Sequence, residues 1–213
     1  MKTDDLISLL ATGLEPVDQR TPGRHLFWAG AMSLIAAVAI TAGLIGLRAG
    51  LFEEFPLPMF WVREAFCAAL SIAGVILATR LARPGARLGL APATIVLSVI
   101  FMWLLGAWVL LNAAPQERAG LVMGQTALVC PFLIALVSAP MFAAIFWLMK
   151  GLAPTRLRLA GAAGGFAAGA TGALVYTLHC PEIAAPFLAV WYVLGMLIPS
   201  ALGAALGPTL LRW

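Results

Sequence analysis

The stretch APATIVLSVIFMWLLGAWVLLN, residues 91–112, carries no charged side chain. A helix needs roughly 20 mainly apolar residues to cross the hydrocarbon core of a bilayer, and this stretch is long enough. Further apolar runs lie on both sides of it, at residues 26–47, 59–79, 121–149, 159–178 and 187–210. None of the runs alternates in the way that is typical of transmembrane β-strands. The sequence therefore predicts an all-α polytopic membrane protein, a bundle of six transmembrane helices.

The composition agrees with a membrane protein and leaves little room for anything else. Of the 213 residues, 62% are hydrophobic and 10% are charged, whereas about 25% of residues are charged in soluble domains. We expect residues 1–24 to form a cytoplasmic N-terminal segment with a short amphipathic helix, and residues 25–213 to form the transmembrane domain. The net charge of +4 comes from basic clusters between apolar runs. Such clusters favour lipid headgroups as partners and give no support for direct nucleic-acid binding.

Lysine and arginine predict the orientation, because short basic loops stay on the cytoplasmic side during insertion. Three basic residues, Arg48, Arg63 and Arg118, fall on one predicted side. The other ten share the side that holds both ends of the chain: Lys2, Arg20, Arg24, Arg80, Arg83, Arg87, Lys150, Arg156, Arg158 and Arg212. We therefore expect both termini in the cytoplasm.

The fourth run, residues 121–149, is too long for one simple crossing. It either tilts strongly or extends its first turns, near residues 116–125, beyond the membrane. Pro131 and Pro140 lie in this part of the chain and predict kinks.

Small residues recur in the last two runs and predict a close helix pair. Glycines spaced four residues apart place small side chains on one helix face, which lets another backbone approach. The glycines concerned are Gly161, Gly165 and Gly169 in the fifth run and Gly203 and Gly207 in the sixth.

Two of the three cysteines, Cys130 and Cys180, are predicted at similar depth on the outer side. Two interpretations remain open: a pair that can form a disulfide, or two inert buried thiols. His179 could favour a thiolate at Cys180, and with Glu182 it could complete a soft metal site, although this spacing matches no recognised motif. Cys67 is predicted to serve packing alone.

The N-terminal segment has the pattern of a short amphipathic helix that begins with the acidic residues Asp4 and Asp5. Its apolar stripe consists of Leu6, Leu9, Leu10 and Leu14. Such a stripe can occupy a groove of a partner protein. A frayed tail, or a helix lying on lipid, is the alternative, and the acidic start argues against lipid because the cytoplasmic leaflet is anionic.

Catalytic and transport signals are weak. Arg63 and Glu64 are the ionisable residues inside the apolar runs, and we expect them at the outer interface. No nucleophile-and-base set, phosphate-binding loop or dinucleotide motif is present, so we predict that the chain is not an enzyme and has no cofactor.

Several stretches resemble the NrsF-type anti-sigma factors, negative regulators of sigma F that are six-helix proteins of bacterial inner membranes. The matching stretches are MKTDDLI at 1–7, EPVDQR at 15–20, PMFWV at 58–62, LARPGARLG at 81–89, CPFLIAL at 130–136 and LHCPEIAAPFLAVWYVLGMLIPSALGAALGP at 178–208.

The resemblance implies a protein that holds an extracytoplasmic-function sigma factor at the membrane until stress arrives. It implies that Cys130 and Cys180 are the sensing pair for oxidants or thiol-binding heavy metals, so that any metal would meet these two residues. It also implies that the sigma factor contacts the N-terminal residues Asp4, Asp5, Leu6, Leu9 and Leu10. Two alternatives are a membrane thiol oxidoreductase, disfavoured because each outer thiol stands alone in the sequence, and a small transporter, disfavoured by the scarcity of buried charge.

Overall fold

The computed structural model describes residues 3, 21–48, 50, 53 and 55–212, and within these residues it is helical without strands. We number the helices in chain order: α1, Thr21–Ile40, with a π-helical turn at Thr41–Ile45; α2, Pro58–Leu81; α3, Ala91–Asn112; α4, Pro115–Met123; α5, Cys130–Val137; α6, Ala139–Lys150; α7, Leu157–Tyr176; and α8, Ala185–Leu210, which includes a π-helical turn at Leu188–Tyr192. The all-α class is confirmed.

Five helices in the described part of the chain are long and apolar enough to cross a membrane: the Phe27–Ile45 part of α1, and α2, α3, α7 and α8. Helices α5 and α6 reach the necessary length only together, and their axes are bent by 46°. Counting this pair as one broken span brings the number to six. Tryptophans and leucines lie exposed on the outer faces of the bundle, including Trp103 and Trp108, as expected where lipid replaces water.

The region 121–149 is divided more finely than its hydropathy suggested. Its first turns belong to the separate helix α4, which buries none of its residues, so the structure favours projecting turns over a single tilted helix. Pro140 stands in the first turn of α6, where the bend lies, as predicted. The predicted kink at Pro131 was wrong, because this residue stands in the first turn of α5. Proline is well tolerated there, since the first amides of a helix have no acceptor within the helix.

Helix α7 is the centre of the bundle, and its tightest neighbour is α8, as the glycine spacing predicted. A Cβ atom at Gly161 would overlap the main-chain carbonyl of Gly203, and one at Gly203 would overlap that of Gly161. Helix α2 packs on another face of α7, where the hydroxyls of Ser71 and Thr171 lie 2.8 Å apart. Because the backbones of α7 and α8 approach so closely at these glycines, main-chain packing holds the two helices together without large side chains.

The connections separate into two groups at opposite ends of the bundle. At one end, which we call the thiol end, the chain after α1, the α4–α5 connection and the α7–α8 connection meet. There the Arg48 amide donates to the Leu178 carbonyl at 3.1 Å, and the Gln125 amide donates to the Glu182 carboxylate at 2.7 Å. The α2–α3 and α6–α7 connections lie at the other end. We call it the basic end for its residues Arg83, Arg87, Lys150, Arg156 and Arg158.

Candidate functional site

Cys130 and Cys180 meet inside the thiol end. Cys130 is the first residue of α5, and Cys180 lies in the connection between α7 and α8. Both side chains are fully buried, and their thiols lie within hydrogen-bonding reach of each other. Both are free thiols rather than a disulfide. The structure therefore brings together two residues that are far apart in the sequence.

A proline follows each cysteine, and each proline marks a helix boundary. Pro131 stands in the first turn of α5, and the Cys130 amide is satisfied by the Thr126 carbonyl at 2.8 Å. After α7 ends, the Cys180 amide still donates to the Tyr176 carbonyl at 3.0 Å, but Pro181 has no amide hydrogen with which to continue that pattern. Both thiols thus lie where a helix begins or has just ended.

Two tyrosines border the pair, and the whole chain contains only these two. Tyr176, the last residue of α7, interacts with Cys130, and Tyr192, in the π-helical turn of α8, interacts with Cys180. Both tyrosines are fully buried, and neither hydroxyl makes a hydrogen bond of ordinary geometry in the described part of the chain. A buried hydroxyl without such a bond costs free energy, which the weaker interactions with the sulfur atoms offset in part.

Hydrogen bonding favours ionisation of Cys180. Cys130 donates to its sulfur, and the amide of Glu182, the hydroxyl of Tyr192 and that of Thr126 add to the effect. Thr126 Oγ1 lies 3.8 Å from the sulfur. Burial opposes ionisation, but the hydrogen bonds outweigh it and hold the pKa of Cys180 below its usual value. Cys180 is therefore the member of the pair that becomes a thiolate first.

Two arginines hold the main chain at Cys180. Arg48, just after α1, and Arg63, in α2, each donate to the Cys180 carbonyl, at 3.1 and 3.3 Å. Arg63 is fully buried and also donates to the Glu182 carbonyl and pairs with Glu64 at 3.2 Å. Arg63 thus lies one turn into α2, near the helix end where the sequence placed it, but it faces the interior of the bundle. Burial is tolerable because the guanidinium has a carboxylate and two carbonyls as partners.

His179 and Glu182 make structural contacts with neighbouring connections. Nδ1 of His179 lies 2.8 Å from the Gly46 carbonyl, and the Glu182 side chain receives the Gln125 amide. No group of three histidine, cysteine or acidic side chains placed to hold a metal ion occurs among the described residues. Both residues fasten the α7–α8 connection to its neighbours, and Glu182 supports Cys180 through its amide.

Sequence reasoning found the two cysteines but missed most of the groups around them. The missed residues are Tyr176, Tyr192, Thr126, Arg48 and the buried role of Arg63. The rarity of tyrosine in the chain was a usable signal for the first two. Cys67, interpreted as packing, lies in the same buried core cluster as the pair. The predicted sigma-contacting residues lie outside the described residues: Asp4, Asp5, Leu6, Leu9 and Leu10.

The comparisons with known proteins identify the family to which the chain belongs. The family described as "Negative regulator of sigma F" (NrsF) matches residues 10–213. This chain belongs to the NrsF family. Among curated relatives, the probable anti-sigma-F factor NrsF of Azospira oryzae is 45% identical, and the anti-sigma-F factor NrsF of Caulobacter vibrioides is 34% identical. Each alignment covers 100% of both chains. The resemblance seen in the sequence is thus confirmed.

No solved structure matches the chain. The sequence argument against a thiol oxidoreductase assumed that each outer thiol stands alone, and the structure removes that assumption. Membership of the NrsF family implies a regulatory role.

Proposed function

We propose that the chain is a membrane-bound anti-sigma factor that holds an extracytoplasmic-function sigma factor and releases it when Cys130 and Cys180 react with an oxidant or a heavy metal. Family membership over residues 10–213 supports the regulatory role. The observation that carries the sensing role is the meeting of two free thiols, distant in sequence, in one buried cluster.

The proposed setting is the bacterial inner membrane, crossed six times, with the thiol end outside and the basic end in the cytoplasm. The five long apolar helices and the bent α5–α6 pair support six crossings. The concentration of lysine and arginine at the basic end supports the orientation. In this orientation the cysteines face the oxidising side of the membrane, where disulfides persist.

The oxidative step needs a two-electron oxidant such as a peroxide. The Cys180 thiolate attacks one peroxide oxygen and the O–O bond breaks. The attacked oxygen stays on sulfur as a sulfenic acid, and the other oxygen takes up a proton and leaves as water or an alcohol. The Cys130 sulfur then attacks the Cys180 sulfur, and the S–S bond forms as a second water leaves. The two thiols lose two electrons and two protons in total. A soft metal cation such as Cd²⁺ would instead displace the thiol protons and bind both sulfurs.

Transmission runs through α1. The connection that carries Cys180 is tied to the end of α1 by Arg48 and by the contact between His179 and Gly46. A change in the thiol pair moves this connection and therefore biases the position of α1. The other end of α1 leads directly into residues 1–20, which carry the proposed sigma contact. A ligand or modification shifts a two-state equilibrium only through contacts that differ between the states, and these contacts are candidates for that difference.

The decisive experiment replaces Cys130 and Cys180 with serine, singly and together, in cells with a reporter of the sigma-dependent promoter. Peroxide or Cd²⁺ should induce the wild type at least about tenfold and leave the double variant at its basal level, because serine forms neither a disulfide nor a metal thiolate. The matched control is Cys67→Ser, which also removes one buried thiol and should still be induced.

Co-purification in detergent tests the binding half of the proposal separately. An overproduced sigma factor should remain bound to the Cys130→Ser/Cys180→Ser protein with and without peroxide. Unchanged induction in that variant would contradict the sensing role. Failure of the wild type to retain any sigma factor, with quinone bound instead, would contradict the regulatory role and favour the oxidoreductase.

A further inference from the structure

A groove at the basic end lies between the last turns of α2 and those of α6. Its walls are apolar and come from Val75, Ala78 and Ala82 on one side and Ile145 and Met149 on the other. Its volume is about 520 Å³, within the roughly 300–1,000 Å³ typical of sites for small ligands. The groove is far from the thiol pair, and the proposed sensing step does not use it.

Two cations lie where this groove reaches the end of the helices. Arg83, just after α2, and Lys150, the last residue of α6, both line it and both are exposed. The connections at this end, residues 82–90 and 151–156, contain no acidic residue. The ion pair found in the described part of the chain, between Arg63 and Glu64, lies at the thiol end. A ligand with a negative head would therefore meet two cations that no nearby carboxylate of the described connections neutralises.

The groove also opens to the side, toward the surface that faces lipid. Trp147 lines it and is 64% exposed, next to the half-buried Leu148. A water-soluble anion would contact the two cations but leave the long apolar walls empty. An amphiphile covers both, with apolar chains along the walls and an anionic head at the end of the helices. Basic pockets of this kind between transmembrane helices favour anionic lipid headgroups.

We propose that this groove is a binding site for one anionic phospholipid, with the headgroup phosphate at Arg83 and Lys150 and the acyl chains between α2 and α6. The proposal does not depend on the proposed anti-sigma function. It also holds for either orientation of the chain in the membrane, since it needs only an anionic lipid in the leaflet at the basic end.

Native mass spectrometry of the full chain in detergent tests the site with added phosphatidylglycerol or phosphatidylcholine. The wild type should retain phosphatidylglycerol and lose phosphatidylcholine. The variant Arg83→Gln/Lys150→Gln should retain about tenfold less phosphatidylglycerol, and both changes are at exposed positions that folding tolerates. The matched control Arg87→Gln/Arg158→Gln removes the same charge from the same end but does not touch the groove, and it should bind as the wild type does. Equal losses in both variants, or equal retention of the two lipids, would overturn the proposal.

Photo-crosslinking identifies what occupies the groove in cell membranes. A photoreactive amino acid placed at Leu148 should give adducts of lipid mass when the full chain is irradiated. An adduct with a peptide, either from residues 1–20 of this chain or from a bound protein, would show that a different ligand holds the groove and would reject the lipid.

Discussion

Cys180 and Cys130 are unequal, because Cys180 receives hydrogen bonds that stabilise its thiolate. Cys130, the amide of Glu182 and the hydroxyl of Tyr192 all lower the pKa of Cys180, against the opposing effect of burial. A reactive thiol needs both a thiolate and a path for the reagent, and the structure supplies the first. In the proposed sensing step, Cys180 is the nucleophile and Cys130 is the neighbour that resolves its oxidised form.

The lowered pKa of Cys180 predicts how its alkylation depends on pH. In the Cys67→Ser background, the rate of Cys180 modification by a small permeant thiol reagent should rise with pH and level off above the pKa of Cys180. Replacing Cys130 with alanine removes the donor that is the leading cause of the lowered pKa, so the rise should move to higher pH. The measurement is the alkylated fraction of the Cys180 peptide by mass spectrometry. A rise that stays in place, or moves to lower pH, would show that Cys130 does not support the thiolate.

A second prediction at this scale concerns Arg48, which links Cys180 to the end of α1. In Arg48→Gln the charge-assisted hydrogen bond to the Cys180 carbonyl is lost, while both thiols remain. Induction of the reporter by peroxide should fall several-fold, although the disulfide still forms and the sigma factor is still held. Arg118→Gln is the control, because Arg118 lies at the same end but donates to the Ala113 carbonyl instead. Equal induction of both variants would exclude this link from the pathway.

Among the elements, the α7–α8 pair determines how the bundle is held together. A Cβ atom at Gly161 would meet backbone atoms of α8, which cannot move aside as the tip of a side chain can. Helix α1 contrasts with this pair, since a Cβ atom at Gly30 would meet nothing within 4 Å. Close packing therefore concentrates at the centre of the molecule, and the same change should have opposite effects at the two sites.

Gly161→Ala should lower the free energy of unfolding by about 1–3 kcal/mol, because the helices must separate to admit the methyl group. Gly30→Ala should be neutral or slightly stabilising, by up to about 1 kcal/mol, because alanine favours the helix. Thermal unfolding of both variants in the same detergent measures the difference. A Gly161→Ala protein as stable as Gly30→Ala would show that the two helices are not packed as described.

The elements also show which parts of the fold are visible in the sequence. Helix α3 has the predicted bounds, 91–112, because an uninterrupted apolar run ends where polar residues and turns begin. The run 121–149 was not resolved into α4, α5 and α6, because hydropathy does not register the turn at Gly124, whose φ is +51°. Proline position was the better guide, yet Pro131 and Pro140 have different roles according to whether a helix has already begun.

The sequence predicted the two cysteines of the candidate site but not the residues around them. The hydropathy pattern shows how far each residue lies from the end of its apolar run, and this distance placed Cys130 and Cys180 at a similar depth. Their contacts with Tyr176, Tyr192 and Arg63 depend on how helices rotate against each other, which no single run specifies. The burial of Arg63 could not be predicted either, because its partners, the carbonyls of Cys180 and Glu182, come from a distant part of the chain.

For the molecule as a whole, the separation of its two ends predicts the orientation in the membrane. The test introduces single reporter cysteines into the cysteine-free chain. A cysteine that replaces Gln116, in α4, should react with an impermeant maleimide added to intact cells. A reporter cysteine that replaces Arg87 or Thr155 should react only after the membrane is permeabilised. The physical reason is the excess of lysine and arginine at the basic end, which resists translocation. Labelling at Arg87 in intact cells would reverse the proposed orientation and place the thiol pair in the cytoplasm.

Both sulfur atoms are completely buried. For the proposed sensor, this burial limits which oxidants reach the thiols and how fast the disulfide is reduced again. Only a compact reagent can enter so closed a chamber, whereas a tripeptide thiol must wait for the surrounding connections to part. Bulky reductants are thereby kept from the oxidised pair as effectively as bulky oxidants are kept from the reduced pair. Such shielding would make induction selective for small oxidants and slow to reverse, so that the response to a brief exposure persists after the oxidant has gone.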